Sequence, residues 1–597
     1  MKLAIDILEE RISTAMAIAT GCDDCAAIVR PSTDPKFGDY QANGVMALAK
    51  KVKTNPRKLA EEVVKNLDVD DICEPPEVAG PGFINLRLKP EFLANRLLEI
   101  NKHIAGLGID KAAVAKTIVV DFSSPNIAKQ MHVGHLRSTI IGDCICRILE
   151  FLGHKVIRQN HIGDWGTQFG MLTALLMDRS TFTALGTDAT LTAFDSNSSI
   201  VQDLEDFYRQ AKKRYDTDEG FARRSRNNVV KLQNDDIDVK LFWRKIVIAS
   251  LDEIQPIYDQ LTVELNKKHV CGESFYEDML PEVVEELKKK ELAVESDGAV
   301  CVFPLGFKNK EGQPLPFIIQ KSDGAYLYAT TDLAALRYRI GDLKANAIIY
   351  VTDARQKLHF EMLFAVAKMA EWVSDDIELS HVMFGSILGD DGTPLKTRAG
   401  ENVKLKELLD EATERAKAIV EEKNPELSQD KKEQIAKAVG IGAVKYADYS
   451  NNRTSDYVFS FDKMLAMDGN TAPYMQYAYA RIKSIERKGQ TKDVDIEDEL
   501  ADLQALNLTE PAELDLAKYI IRYGEAIQAA IADYRPNYLT AYLYELAQKF
   551  SAFYTNCPVL KAEPGKRPTR LLLCDLTAKT IEHGLSELLG IEVVEQM

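Results

Sequence analysis

The strongest constraint on the fold lies where one hydrophobic periodicity gives way to another. Thr117 to Phe122 is a β-branched run of strand length. Downstream, Val133, Leu136, Ile140, Ile141, Cys144, Ile145 and Ile148 recur at helical spacing until Gly153. Between them runs Ser124-Pro-Asn-Ile-Ala-Lys129-Gln-Met-His132-Val-Gly134-His135, so the join is a βα turn with two histidines around a glycine. A helix N-terminus presents free N–H groups and the positive end of its dipole, which attract phosphate. Glycine permits close backbone approach, and imidazoles add donors that follow developing negative charge. Alone, the short pattern also fits a helix cap beside a packed histidine.

The run from Asp121 through Asp143 resembles the signature region of the class I aminoacyl-tRNA synthetases, and its flanks resemble the arginyl family of bacterial type. The resemblance extends from Phe37-Gly-Asp-Tyr-Gln-Ala-Asn43 to the terminal helices. It implies ATP-dependent activation of L-arginine and transfer to tRNA(Arg), with magnesium entering with ATP and activation requiring bound tRNA. Another class I synthetase and a non-catalytic tRNA-binding paralogue are the alternatives.

At 597 residues the chain exceeds one hydrophobic core, so three or more units are expected. The fold class expected is α/β: a doubly wound parallel-sheet catalytic domain with insertions, an N-terminal α+β domain and a C-terminal all-α bundle. The boundaries read as 1–105, 106–402 with insertions at about 171–245 and 275–325, and 403–597. The parallel sheet follows from strand patterns at Thr117, Lys155, Ala347 and Leu379 alternating with helical ones. One helix is expected from about Asn43 to Leu67, and one strand pattern spans Leu379 to Leu388. In the resembled family the first unit contacts tRNA and the last binds the anticodon.

No stretch of about 20 apolar residues occurs and the first 20 residues mix charges into their apolar positions, so a cytoplasmic protein is expected. Nine scattered cysteines give one Cys-x-x-Cys, Cys22 to Cys25, without further ligands at zinc spacing; free thiols and no zinc are expected. A net charge of −17 opposes wholesale phosphate binding. Local clusters at Arg209, Lys212, Lys213 and Arg214 and at Arg223, Arg224 and Arg226, interleaved with acids, read equally as RNA contacts or solvated helix faces. A monomer is expected.

The second class I signature is usually a Lys-Met-Ser-Lys-Ser loop; here Gly392-Thr-Pro-Leu-Lys396-Thr-Arg398-Ala-Gly400 stands in that place, with Thr397 where the second lysine belongs. In the resembled family a lysine before the first signature compensates, which assigns Lys129 to phosphate. The resemblance further places Gly134, Met383, Phe384 and Gly385 beside ATP, with His132 and His135 catalytic together with Lys396 and Arg398. It places Ser124, Asn126, Asp121, His135, Tyr328, Asp332 and Gln356 around arginine. A guanidinium needs planar acceptors, and Tyr328 and Asp332 share a helix face at i, i+4. Asp332 after two threonines also suits a helix N-cap.

Overall fold

The computed structural model describes residues 1–597 except 128, 185–203, 235, 397–401, 491–498 and 501–502, with backbone alone at 180–184, 204–205, 233 and 490. The chain forms two compact units. One comprises Met1–Lys111, Ala466–Leu588 and Glu592–Met597; the other comprises Ala112–Leu465 and Leu589–Ile591.

The second unit is built on a four-stranded parallel sheet of β1 (Thr117–Asp121), β2 (Lys155–Gln159), β3 (Ala347–Tyr350) and β4 (Glu378–His381), in the order β4-β3-β1-β2. Val119 lies opposite Ile157 on one side and Ile348 on the other. Ile118, Val119 and Val120 are all buried, as expected of a strand covered on both faces. Helix α1 (Leu136–Phe151) leads from β1 to β2, and α2 (Tyr328–Gly341) and α3 (Lys357–Met369) flank β3. The order reverses at β1 and β3, and their carboxyl ends define the switch point where such sheets bind ligands.

The expected insertion at 171–245 is helical where described: Thr167–Ala184, Leu204–Thr217, Glu219–Gln233 and Ile237–Gln260. Within the expected insertion at 275–325, Ala293–Ser296, Ala299–Val302 and Phe317–Gln320 fold separately as an antiparallel sheet. Its first two strands meet at Asp297-Gly298, both at positive φ, the backbone of a two-residue hairpin turn. The expected strand from Leu379 to Leu388 divides: β4 ends at His381, and Ile387–Leu388 pairs instead with Tyr457–Val458.

The expected boundary near 402 differs from the observed division. Helices α4 (Leu405–Lys423) and α5 (Gln429–Tyr449) belong to the sheet-containing unit. Their attachment is polar and buried: the Tyr449 hydroxyl donates to Ile140 O at 2.9 Å, and Asp448 pairs with Arg137 at 3.0 Å, both side chains 1% exposed. Of the aromatic series from Tyr446 to Tyr479, Tyr446, Tyr449, Tyr457, Phe459 and Tyr479 are buried, so these five serve packing, whereas Tyr477 is exposed.

In the other unit, residues 1–111 carry a four-stranded antiparallel sheet, Val29–Pro31, Tyr40–Ala42, Phe83–Leu86 and Glu77–Ala79 in that spatial order. The single helix expected over 43–67 is two, Gly44–Lys51 and Pro56–Lys65, because Pro56 cannot continue a helix and Asn55 caps a new one by accepting from Arg57 and Lys58 N–H. Tyr40, fully buried, donates to Glu525 Oε1 at 2.5 Å.

Candidate active site

Beyond β1 the chain passes through Ser123 and Ser124, both at positive φ, a conformation costly for residues with a Cβ. Four neighbours hold it. Ser123 Oγ meets Thr139 Oγ1 at 2.9 Å and Tyr258 OH at 2.8 Å, its N–H donates to Ser138 Oγ, and Ser124 N–H donates to Asn160 Oδ1 at 3.0 Å. The turn that follows is one 3-10 turn, Val133–His135, running into α1. His132 Nδ1 accepts from Gly134 N–H and His135 Nδ1 from His132 N–H, each at 3.1 Å, and the rings lie 4.1 Å apart. With both Nδ1 atoms accepting, each neutral ring carries its proton on Nε2 and presents it as a donor.

Burial, helped by the Lys129 ammonium, pushes the His132 imidazole below its ordinary range. Burial and the neighbouring His132 take His135 to about 4. Both are therefore neutral donors at physiological pH. A Cβ on Gly134 would lie 2.8 Å from His132 Cε1, so the glycine is what lets the ring fold over the turn.

His132, Val133 and Gly134 line a cavity of about 170 Å³ at the carboxyl ends of β1 and β3, with Arg137, Asp353, Phe384 and Gly385 on its other walls. Phe384 is buried, its N–H donating to Thr352 O at 3.2 Å. Met383 O accepts from Arg453 Nη1 at 2.5 Å. A Cβ on Gly385 would lie 2.6 Å from Asp456 Oδ1, so this glycine answers to packing against 455–456.

The structure joins the two signature regions through the backbone. After the hairpin whose Leu388 bridges Pro394 and whose Lys396 bridges Asn402, the chain returns alongside the histidine turn. Val133 N–H donates to Val403 O and Leu405 N–H to Met131 O, each at 2.9 Å. Lys396 is exposed on this hairpin; Arg398 lies outside the described residues. Lys129 is exposed, its ammonium 4.5 Å from the centre of the Tyr208 ring. Lys404, bridged to His132 and lining a small cavity with Lys129, is a cation the sequence did not single out. Nothing in its local pattern marks it.

The second half of the site is acidic. Asp332 lies inside α2, whose N-cap is Leu327, so it is not the cap; its Oδ2 meets His359 Nε2 at 2.6 Å. The Tyr328 ring, 65% exposed, lies 5.1 Å from that of His359. Glu273, missed at the level of sequence, stands out here: burial and the charges of Asp164 and Asp332 push its carboxyl up to about 7. Asp164 is itself raised by burial, against the pull of Ser274, whose N–H and Oγ donate to it at 2.9 and 2.5 Å. A buried carboxyl driven towards protonation by the charges of two others matches a ligand that carries positive charge and several donors.

Asp121, expected among the arginine ligands, is otherwise engaged. Its Oδ2 pairs with the fully buried Arg339 at 2.7 Å and its Oδ1 accepts from Ser124 Oγ at 2.9 Å. An internal guanidinium thus holds this carboxylate, which anchors the end of β1. Asn126 is exposed and bridges Gly163, where a Cβ would come 2.1 Å from its Oδ1. Gln356 is exposed at the end of the short turn before α3. The basic series of the insertion is largely answered by acids: Lys212 by Asp216 at 2.6 Å, Arg214 by Asp178 at 2.8 Å and Arg224 by Asp178 at 3.2 Å.

Three family models match the chain: arginyl tRNA synthetase N terminal domain over residues 6–88, tRNA synthetases class I (R), catalytic domain, over 100–461, and DALR anticodon binding domain over 475–597. The arginine–tRNA ligase of a Synechococcus species is 50% identical over 597 residues, 99% of each chain. The crystal structure of arginyl-tRNA synthetase from Plasmodium falciparum superimposes with a TM-score of 0.81 at 32% identity, and that from Thermus thermophilus with 0.80 at 25%, each covering 100% of both chains. With a catalytic-domain match spanning more than half its length and half of its residues shared with a full-length relative, the chain belongs to the arginyl-tRNA synthetases of class I.

Proposed function

We propose that this chain is an arginine–tRNA ligase whose acidic pocket and histidine turn hold the two halves of one reaction. In the first step an arginine carboxylate oxygen attacks the α-phosphorus of ATP, and the bond to the departing diphosphate breaks. In the second, a terminal ribose hydroxyl of tRNA(Arg) attacks the adenylate carbonyl, its proton passes to solvent and AMP leaves. The protein's contribution is alignment and charge stabilisation.

The observation that carries the reading is the cluster of Glu273, Asp164 and Asp332 in the unit whose sheet also bears the histidine turn. Asp332 and Glu273 receive the guanidinium, with Tyr328 and Gln356 beside it. Ser124 and Asn126 meet the amino acid's ammonium and carboxylate. The Nε2–H groups of His132 and His135 donate to phosphate, Gly134 admits the nucleotide, and Met383, Phe384 and Gly385 wall the adenine. Lys129, Lys396 and Arg398 follow the charge of the departing diphosphate, and magnesium enters bound to ATP as part of the substrate. Residues 1–105 and the helical segment after 466 contact tRNA, whose binding completes the site for activation. The protein acts as a cytoplasmic monomer; among its described residues no helix is long and apolar enough to cross a membrane.

The test is charging of total tRNA with each amino acid in turn. Arginine alone should be attached. Attachment of a different amino acid points to another class I specificity, and tRNA binding without any attachment points to a non-catalytic paralogue.

A further inference from the structure

Of the nine cysteines, seven are buried: Cys73, Cys144, Cys146, Cys271, Cys301, Cys557 and Cys574. Only Cys22 and Cys25 reach solvent, and they are the one Cys-x-x-Cys pair of the chain. They sit in the segment that leaves helix Ala4–Thr20 and enters the strand at Val29. The helix stops at Gly21, at φ 69°, whose N–H donates to Ala17 O at 2.7 Å. This αL stop turns the chain sharply. Beyond it Cys25 folds back, its thiol donating to Cys22 O at 2.7 Å, while the Cys22 thiol donates to Asp24 O at 3.8 Å. The Lys51 ammonium pairs with Asp24, between the two cysteines, at 3.4 Å.

Two half-exposed thiols in one Cys-x-x-Cys turn, the second folded onto the carbonyl of the first, form a dithiol rather than two unrelated residues. The thiolate is the attacking species in exchange. The motif therefore has the parts for disulfide exchange, and no residue assigned to the proposed ligase site belongs to it.

We propose that Cys22 and Cys25 form a modification site that takes small-molecule disulfides and closes to an intrachain disulfide. Cys22 thiolate attacks one sulfur of glutathione disulfide, forming a mixed disulfide and breaking the S–S bond. The departing glutathione thiolate takes up the proton Cys22 released. Cys25, deprotonated in turn, attacks the Cys22 sulfur, displacing the second glutathione as thiol. The protein dithiol is oxidised and one glutathione disulfide is reduced to two thiols.

The pair lies in a compact unit that excludes the histidine turn and the acidic pocket, so the site is separable from catalysis. Burial raises the Cys25 thiol above its ordinary range, which assigns the first attack to Cys22. The Cys22→Ser variant therefore closes no bond under any condition. Cys25→Ser stops at the glutathione adduct on Cys22.

The experiment treats the full-length native protein with oxidised glutathione, quenches with an alkylating agent, denatures, and maps the cysteine peptides by mass. The expected result is a peptide containing residues 22–25 that lacks two hydrogens and takes no alkyl group, restored by dithiothreitol, with the seven other cysteines reduced. The Cys25→Ser variant should carry one glutathione and Cys22→Ser should not close a disulfide. Both thiols remaining alkylatable in the native protein would overturn the proposal. So would two glutathione adducts in place of the intrachain bond, or oxidation appearing first at any buried cysteine.

Discussion

Replacing Glu273 by glutamine separates what this carboxylate costs the free protein from what it contributes to arginine. Its carboxyl is raised from 4.5 to about 7 by burial and by Asp164 and Asp332. At about 1.4 kcal/mol per unit, holding it ionised costs the folded state at most roughly 3 kcal/mol. The sign follows from linkage: between 4.5 and about 7 the folded protein binds more protons than the unfolded chain, so stability falls as pH rises through that window. The cost is absent below 4.5 and complete above about 7. Glu273→Gln, nearly isosteric, should therefore be no more stable than the parent at pH ~4.5 and more stable by about 1–3 kcal/mol at pH ~8 in urea unfolding. The same variant removes one acceptor from the guanidinium. Its KM for arginine in tRNA-supported ATP–pyrophosphate exchange should rise by an amount worth about 2–5 kcal/mol. A stability gain with an unchanged KM would make Glu273 a packing residue. Equal stability at both pH values would refute the electrostatic account of the pocket.

Asp332→Asn should raise the arginine KM by a similar ~2–5 kcal/mol with a smaller change in kcat; an unchanged KM would return Asp332 to a purely local partnership with His359. In the parent, His135 at about 4 predicts a kcat that does not fall as pH drops through roughly 6.5, where an ordinary imidazole takes up its proton. The arginine KM, by contrast, should climb as pH falls below about 7, because arginine binds the ionised form of Glu273; profiles of kcat and KM at saturating ATP separate the two, and a kcat inflection near 6.5 would contradict the histidine assignment. Anticodon substitutions in a tRNA transcript should cost ~1–3 kcal/mol per wrong base if the helical unit reads them, and alanine at the exposed Tyr477 is the point change to pair with them. Values of kcat/KM within twofold of the parent would make that unit structural.

How far these features could be read from the sequence depends on whether their cause is local. The histidine turn was legible because strand periodicity ends at Phe122 and helical periodicity begins at Val133, which forces a βα join whatever surrounds it. That Tyr328 and Asp332 share one helix was legible from their i, i+4 spacing. Glu273 was not: it is one of 91 acidic residues, and only folding brings it to Asp164 and Asp332. Nor could the pairing of Asp121 be read, since its partner Arg339 is 218 residues away. The boundary near 402 departs from the contact-based division because helices α4 and α5 have the same pattern whether they join the bundle or the sheet. The deciding contacts, Arg137 with Asp448 and Tyr449 with Ile140, are tertiary. The single helix expected over 43–67 breaks because Pro56 and its Asn55 cap start a new one.

The central claim is that the histidine turn and the cations gathered beside it stabilise the departing diphosphate, with Lys129 taking the place of the lysine that Thr397 lacks. The Lys129 ammonium depresses His132 and so lies within its electrostatic reach, while its own exposure leaves the fold indifferent to truncation. The direct measurement is single-turnover formation of arginyl-adenylate by Lys129→Ala in the presence of tRNA, with unfolding followed in parallel. The account predicts a rate lower by ~10²-fold or more, the scale of one electrostatic contact to a transition state, at unchanged stability and arginine affinity. A rate within about threefold of the parent, with the fold intact, would contradict it.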